Sequence, residues 1–384
     1  MARDRRSTES DNTPMVARWG TGHPSAPLVV ALHGNGTSEH SMIEIAPWLP
    51  HGPVAYLAVR APIEGDSGFI WFDESGPDDL AGTTRWLLDW LETEGDPDRP
   101  ILLLGFRDGV TVAGAMMLEA PDRFAGAVLL YGALPDGPAT SLVRGRLAGM
   151  PVFLAHGTGD TRTPTDRLLS TWSWLSTQSG APLWAERGPG GAQLAGDVVG
   201  HAGTWLGDRL DHLRAHGENP LPDGDEPDWP IGRLPERVGP PPKVTTVTPQ
   251  HQESQNAPAH LQAELWKRVV ALDGVSTAPA TVGVAGTRSL LLDREHAEGP
   301  DAAFVLPAEG EFAHLHPESD GSLHVALPDA LAYDALAKGW AVAHPLAGVR
   351  VSAGMVLVPG PRDEGEVEIV AGIVAASHRF AAAG

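Results

Sequence analysis

The chain reads as an α/β unit with a parallel sheet, followed by a smaller α+β domain. Three observations predict this. Short apolar runs alternate without a gap with longer amphipathic ones over residues 14–216, the pattern of parallel strands joined by crossover helices. Residues 217–257 are then rich in proline, including the run Pro240-Pro241-Pro242, which reads as an extended linker. Residues 258–384 resume with an amphipathic helix and alternating strand patterns. With 384 residues, each unit is long enough for a core of its own.

Composition narrows the function classes. There are 49 acidic and 27 basic residues, a formal charge of −22, and that balance argues against a nucleic-acid partner. The chain has no cysteine, which excludes disulfides, thiol nucleophiles and thiolate metal sites. It has no apolar run long enough to span a bilayer, so no membrane partner is expected. Residues 1–13 are polar and charged, without the apolar core of a signal peptide, and read as a disordered tail. The expectation is a cytoplasmic protein.

In the first unit, strands are predicted at Leu28–His33, Val54–Ala58, Ile101–Gly105, Gly126–Tyr131, Val152–His156 and Pro182–Glu186. Helices are predicted at Asp79–Glu92, Asp108–Glu119, Asp166–Thr177 and Leu194–Ala215. The centre of this unit is Gly105-Phe106-Arg107-Asp108-Gly109. An apolar strand feeding such a turn, with small residues two before and two after its midpoint, has the shape of a nucleophile elbow. The midpoint is Arg107 instead of a serine. Asp108 is no substitute, because its neighbours two positions away are Phe106 and Val110. At a helix N-terminus Arg107 is placed to take a carboxylate or phosphate, or to pair with Asp108 or Asp160 and plug the cleft.

Four segments of this unit resemble the phospholipase/carboxylesterase group of α/β-hydrolases, which includes acyl-protein thioesterases. They are Leu32-His33-Gly34-Asn35-Gly36, Trp71-Phe72-Asp73, the elbow itself, and His156-Gly157-Thr158-Gly159-Asp160 with Pro164. The resemblance implies that the loop at Gly34 and Asn35 supplies oxyanion-hole N–H groups and that Asp160 is the triad acid. It also implies a histidine directly after Pro189-Gly190-Gly191, where Ala192 stands. His201 falls mid-helix, about two turns too late. Nucleophile and base are both missing from their places, so the expected state is a degenerate triad.

In the second unit a helix is predicted over Ala259–Leu272, then strands at Ala280–Val284, Ser289–Leu292 and Ala303–Leu306. Two alternating runs around Pro317-Glu318-Ser319-Asp320-Gly321 follow and read as a hairpin with a five-residue loop. In that register His316 faces Ser322 and His314 faces His324. Period-two alternation then puts His314, His316 and His324 on one face, continued by Phe312 and Ala326, with Glu311 near its rim. Ala313, Leu315, Leu323 and Val325 take the other face. A helix over Pro328–Lys338 leads to Gly339-Trp340. Three imidazoles on one face can hold a divalent transition metal, act without metal as acids and bases, or simply make a solvent-facing polar surface.

Glu311 to His316, Leu323-His324, Gly339-Trp340, His344-Pro345-Leu346-Ala347-Gly348 and Pro361-Arg362-Asp363-Glu364 together resemble the fungal-luciferase-type domain. That family's known reaction is oxygenation of an electron-rich hydroxypyrone without an organic cofactor. The resemblance implies a small-molecule enzyme, of the kind met in bacterial secondary metabolism. Its site residues would be His314, His316, His324, His344 and Glu311, with Trp340 as an apolar wall, and O₂ is a candidate co-substrate. The first unit would serve it as scaffold, homodimer surface or substrate cleft. Two other readings are open: a binding or regulatory protein with two degenerate domains, and a hydrolase in which His201 or His33 activates water.

Overall fold

The chain is described from a computed structural model, which covers residues 13–72, 77–135, 142–188, 190, 193–194, 196–218, 227–293 and 295–382. The expected tail thus lies, Thr13 apart, outside the described residues. The first unit runs β1 (Val16–Gly20), β2 (Leu28–Leu32), α1 (His40–Ile43), β3 (Ala55–Val59), β4 (Ile63–Gly65), β5 (Gly68–Ile70), α2 (Pro77–Leu91), β6 (Ile101–Phe106), α3 (Asp108–Glu119), β7 (Gly126–Leu130), β8 (Val152–Gly157), α4 (Thr165–Thr177), β9 (Leu183–Gly188) and α5 (Gly196–His216).

These elements build a seven-stranded sheet of order β1-β3-β2-β6-β7-β8-β9, parallel except for β1. Its central strands are buried along their whole length, as Leu28–Leu32 and Gly126–Leu130 are, because helices cover both faces. Val30, Leu32 and Leu103 pack with Val110, Met116 and Trp174 from α3 and α4. On the opposite face, Val29, Ala31 and Leu104 pack with Met42, Trp205 and Leu206 from α1 and α5. The predicted strands and helices are all present, with ends moved by one or two residues. The antiparallel edge strand β1 was not expected. It holds through its register on β3 and through Trp19, whose ring stacks on Tyr56 at 5.0 Å.

The second unit runs α6 (Ala259–Val269), β10 (Val275–Pro279), β11 (Arg288–Leu292), β12 (Glu311–Leu315), β13 (Leu323–Ala326), α7 (Asp329–Ala337), β14 (Val342–Ala343), β15 (Met355–Val358) and α8 (Glu364–Ala382). Its six strands are antiparallel in the order β10-β11-β12-β13-β15-β14. Leu261 and Leu265 of α6 and Val370, Ile373 and Val374 of α8 bury one sheet face against Ala313, Leu315, Leu323 and Val325. Two expected strands are displaced. Ala280–Val284 is a bend, because Gly283 and Gly286 adopt positive φ, and the strand lies just before it at Val275–Pro279. Of Ala303–Leu306, Ala303 ends the tight helical turn Asp301–Ala303, Phe304 is extended, and Leu306 makes an isolated bridge to Glu311. Among the described residues no helix is long and apolar enough to cross a membrane.

The two units are in contact. Arg209 of α5 is fully buried; its Nε donates to Ala125 O at 2.8 Å and its Nη1 to Gly348 O at 2.5 Å. Arg350 reaches Asp208 with a 2.7 Å bond.

The turn from β6 to α3 has the geometry of a strained elbow. Arg107 sits at φ 54°, ψ −117°, a region non-glycine residues rarely occupy. Its flanks must be small: a Cβ on Gly109 would lie 2.1 Å from Leu32 O, and one on Gly105 would lie 2.7 Å from Gly109 O. Both obstacles are backbone and cannot swing aside. Gly109→Ala is therefore expected to destabilise the first unit by about 3 kcal/mol or more, readable as a lowered urea midpoint with an unchanged slope.

Candidate functional site

The histidine face of the second unit is where chemically capable groups converge. β12 and β13 pair with His314 opposite His324, and the His316 N–H donates to Ser322 O at 2.9 Å. The face is covered, and His314, His316 and His324 are exposed by only 3, 1 and 6%. This overturns the solvent-facing alternative. The three rings lie 4.8–5.3 Å apart, centroid to centroid.

A register shift between Leu290 and Leu291 sets Glu311 opposite Leu291 and Ala313 opposite Leu290, leaving Phe312 as an extra residue. Such a bulge re-aims the side chains on either side of it. Glu311 therefore joins the face of His314, where its Oε1 lies 2.6 Å from His314 Nδ1. Phe312 turns into the core and meets His378 of α8 edge-on. This corrects the expectation that Phe312 continues the imidazole face.

The hydrogen bonds determine where each ring carries its proton. The Glu311 carboxylate also accepts from Ser289 Oγ at 2.6 Å, so it takes the proton of His314 Nδ1 as a second donor. Asp320 Oδ2 accepts from His316 Nδ1 at 2.7 Å while Oδ1 accepts from the Ser322 N–H and hydroxyl. Gln250 Nε2 donates to Ala343 O at 3.2 Å, which leaves its Oε1 to accept from His324 Nε2 at 3.1 Å. All three outer nitrogens are thus donors. The inner nitrogens, His314 Nε2, His316 Nε2 and His324 Nδ1, each retain a lone pair, yet His324 Nδ1 lies 3.0 and 3.1 Å from the other two.

Lone pairs this close repel unless a proton or a metal ion lies between them. Two ligand nitrogens at about 2.1 Å from one ion and roughly a right angle apart would be separated by about 3 Å, which both separations from His324 match, and His314, His316 and His324, with ligand atoms within 4.8 Å of one another, form a group that could hold a metal ion. Carboxylates on the outer nitrogens of metal-binding histidines are the usual orienting partners.

Burial lowers the pKa of His316, and its bond to Asp320 offsets this only in part. Burial would raise the Asp320 carboxyl, but its bonds from His316 and Ser322 hold it below the ordinary carboxylate range. His324 is pushed far down by burial and then by His314, His316 and His344. Both shifts favour the neutral ring at His316 and His324, the form in which imidazole binds metals.

His344 is a fourth imidazole, its ring 5.3 Å from that of His324. Burial takes its pKa to about 4. Its Nδ1 accepts the Leu346 N–H at 3.2 Å, so its proton is on Nε2. Trp340 does not make the wall expected of it: it packs in the core, donates from Nε1 to Pro235 O at 2.6 Å and lies under Arg237. Three participants were missed in the sequence. From sequence, Asp320 reads only as a turn residue despite the spacing His316-x-x-x-Asp320, and Ser322 reads as a polar residue on the imidazole face without a role of its own. Gln250 stood in a proline-rich stretch and gave no signal.

The elbow cleft of the first unit is arranged differently. The Asn35 N–H, an oxyanion-hole donor by resemblance, donates to Asp108 Oδ2 at 2.9 Å. Asn35 Oδ1 accepts from Trp71 N at 2.8 Å, and the Trp71 indole donates to His33 O at 2.6 Å, which fixes the loop beside Gly34. Burial first, and then the Arg162 charge, lower the pKa of Arg107 against the opposing charges of Asp160 and Asp108. Asp160 Oδ1 accepts the Arg162 and Thr163 N–H groups, and its Oδ2 has no partner among the described residues. His33 is fully engaged, its Nδ1 on Gly34 O and its Nε2 accepting from Ala61 N. His201 pairs with Glu186 at the surface. Asp73 and Ala192 lie outside the described residues.

The comparisons with known proteins match both units. A family model described as phospholipase/carboxylesterase matches residues 19–171, and one described as luciferase domain matches residues 309–377. The chain therefore resembles the phospholipase/carboxylesterase family over its first unit and a luciferase domain over residues 309–377 of its second. It is 25% identical to MhqD of Bacillus subtilis over 193 residues, 46% of this chain and 91% of that one. It is 30% identical to the luciferase of Armillaria ostoyae over 165 residues, 38% of this chain and 59% of that one. The crystal structure of a Bacillus cereus carboxylesterase covers 52% of this chain and 95% of its own, at 23% identity and a TM-score of 0.46.

His156, at the end of β8, donates from Nε2 to Gly132 O, and burial lowers its pKa to about 4. An unfolded histidine titrates near 6.5, so between these values the unfolded chain binds the extra proton. The His156 contribution is present above pH 6.5 and is lost as pH falls toward 4. His156→Phe should remove that slope. Urea unfolding of both proteins at pH 7 and pH 4 should show their stability difference changing by on the order of 3 kcal/mol.

Proposed function

We propose that the luciferase-type domain is a small-molecule enzyme whose centre is a divalent transition metal held by His314, His316 and His324. One observation carries this reading. Three imidazoles, each committed outward to Glu311, Asp320 or Gln250, face one another in the interior, with His324 Nδ1 3.0 Å from His314 Nε2 and 3.1 Å from His316 Nε2. Bound there, the metal supplies Lewis acidity for charge developing on a substrate oxygen. Glu311 and Asp320 hold their rings in place and raise their basicity. His344, with its proton on Nε2, is a neutral hydrogen-bond donor beside the set, suited to an enolate or similar oxyanion. Burial of the face excludes water and strengthens these contacts. The substrate class that fits is an enolisable small molecule, with O₂ as a candidate co-substrate or loss of a carbon fragment as the alternative outcome.

The carboxylesterase-like domain, in this reading, is a pseudo-hydrolase that serves as scaffold. A second reading keeps it active as an esterase, and the retained elbow, Asn35 loop and Asp160 favour that. The Asp108 carboxylate on the Asn35 N–H favours the first, because it fills the place a developing oxyanion would need.

Elemental analysis of metal-reconstituted full-length protein should find close to one ion per chain. His314→Ala with His324→Ala should lower the affinity by at least about 100-fold. Failure of the unaltered chain to bind zinc, iron, nickel or copper would remove the metal. Assay with p-nitrophenyl acetate separates the two readings of the first domain. The scaffold reading expects a rate unaffected by Asp160→Ala, whereas turnover abolished by that change would establish the esterase.

A further inference from the structure

The proline-rich stretch between the units reads from sequence as a boundary linker. Its residues 243–255 instead form a closed loop that touches both units. The loop is tied by the Glu253 N–H to Lys243 O at 2.8 Å, the Thr245 N–H to His251 O at 3.0 Å, and the His251 N–H to Thr245 Oγ1 at 2.9 Å. On one side Thr246 binds β9, an edge strand of the first sheet. The Ala185 N–H donates to Thr246 O at 3.0 Å, and the Thr246 hydroxyl returns a bond to Ala185 O at 2.9 Å.

On the other side, Gln250 and Gln252 enter the second unit and are 3% and 2% exposed. A solvated linker has no use for two buried amides, which cost free energy unless every polar atom finds a partner. Here the partners belong to the histidine site. Gln250 Oε1 takes the proton of His324 Nε2, and the Gln252 N–H donates at 3.3 Å to Asp320 Oδ2, the oxygen that holds His316. Gln252 Oε1 is itself fixed by the Gly360 N–H at 3.0 Å.

We propose that this loop is a strap that completes the histidine site. Gln250 is a positioning residue that keeps the His324 proton on Nε2, Gln252 steadies the carboxylate behind His316, and the anchor on β9 makes the first unit part of the second unit's centre. The inference rests on the three-histidine reading above. It goes beyond it in assigning the ligand atom of His324 to a residue outside the matched residues 309–377. A neutral imidazole puts its proton where an acceptor exists. Without Gln250, His324 can move its proton to Nδ1, and the third lone pair is lost.

The test uses the full-length chain, with Gln250→Ala, Gln250→Glu and Thr246→Val beside the unaltered protein. Nitrogen-15 NMR of the metal-free forms reads the tautomer directly. His324 should be protonated at Nε2 in the unaltered chain and in Gln250→Glu, which keeps an acceptor, and should shift toward the Nδ1-protonated form in Gln250→Ala. Cobalt(II) titration should show affinity about 10–100-fold weaker in Gln250→Ala, restored in Gln250→Glu, and about 2–10-fold weaker in Thr246→Val.

An unchanged His324 tautomer in Gln250→Ala overturns the positioning role, whatever the metal result. Equal cobalt affinity in Thr246→Val overturns the part assigned to the first unit. Failure of the unaltered protein to bind cobalt, with the tautomer shift intact, strikes the metal reading and leaves the strap standing.

Discussion

The direction of each hydrogen bond around three buried imidazoles is the constraint on which the second unit depends. An imidazole in the interior has one proton and one lone pair, and both must be placed. Glu311 and Asp320 accept only, and Gln250 is forced to accept by its other bond to Ala343 O. Every proton is thereby drawn outward. The fold then has to bury two carboxylates and an amide to hold this arrangement, and it supplies Ser289, Ser322 and the Gln252 N–H to satisfy them. Buried polar networks of this kind are favourable only when every member is satisfied, which ties the precision of the site to the integrity of β11, β12, the hairpin turn and the strap together.

The first unit illustrates a separation of geometry from chemistry. Gly105, Gly109 and the positive φ of Arg107 preserve the strained turn, while the side chain at its tip is a cation. The turn persists because it is a packing solution. Close approach of Gly109 to Leu32 O and of Gly132 to Arg107 O lets α3 nest on β2 and the end of β7 on the turn, and that requirement is indifferent to which side chain projects at residue 107. Asp108, one residue on, then satisfies the Asn35 N–H.

How much was legible in the sequence follows from the range of each interaction. The parallel sheet was readable because its strands are continuous apolar runs and its helices have an apolar face. The pairing of His314 with His324 followed from local alternation around one turn. The bulge at Phe312 did not, because it is set by the pairing of β12 with β11, some twenty residues earlier in the chain. The strand expected at Ala280–Val284 failed for a local reason, since glycines at 283 and 286 favour a bend over the β-branched pattern around them. Gln250 was out of reach of any periodicity, as its role exists only once residues 74 positions apart are brought together.

The bonds between Thr246 and β9 have a consequence for solubility. An edge strand offers a row of free N–H and C=O groups to any other strand, and proteins guard such edges by covering them. The strap covers β9 at Ala185, and the same thirteen-odd residues set the proton of His324. Detaching the segment would expose the sheet edge and misset the imidazole in one event. Damaged chains would then be marked for self-association at the moment they lose their centre, and a cut placed in this proline-rich region to separate the domains would produce both defects at once.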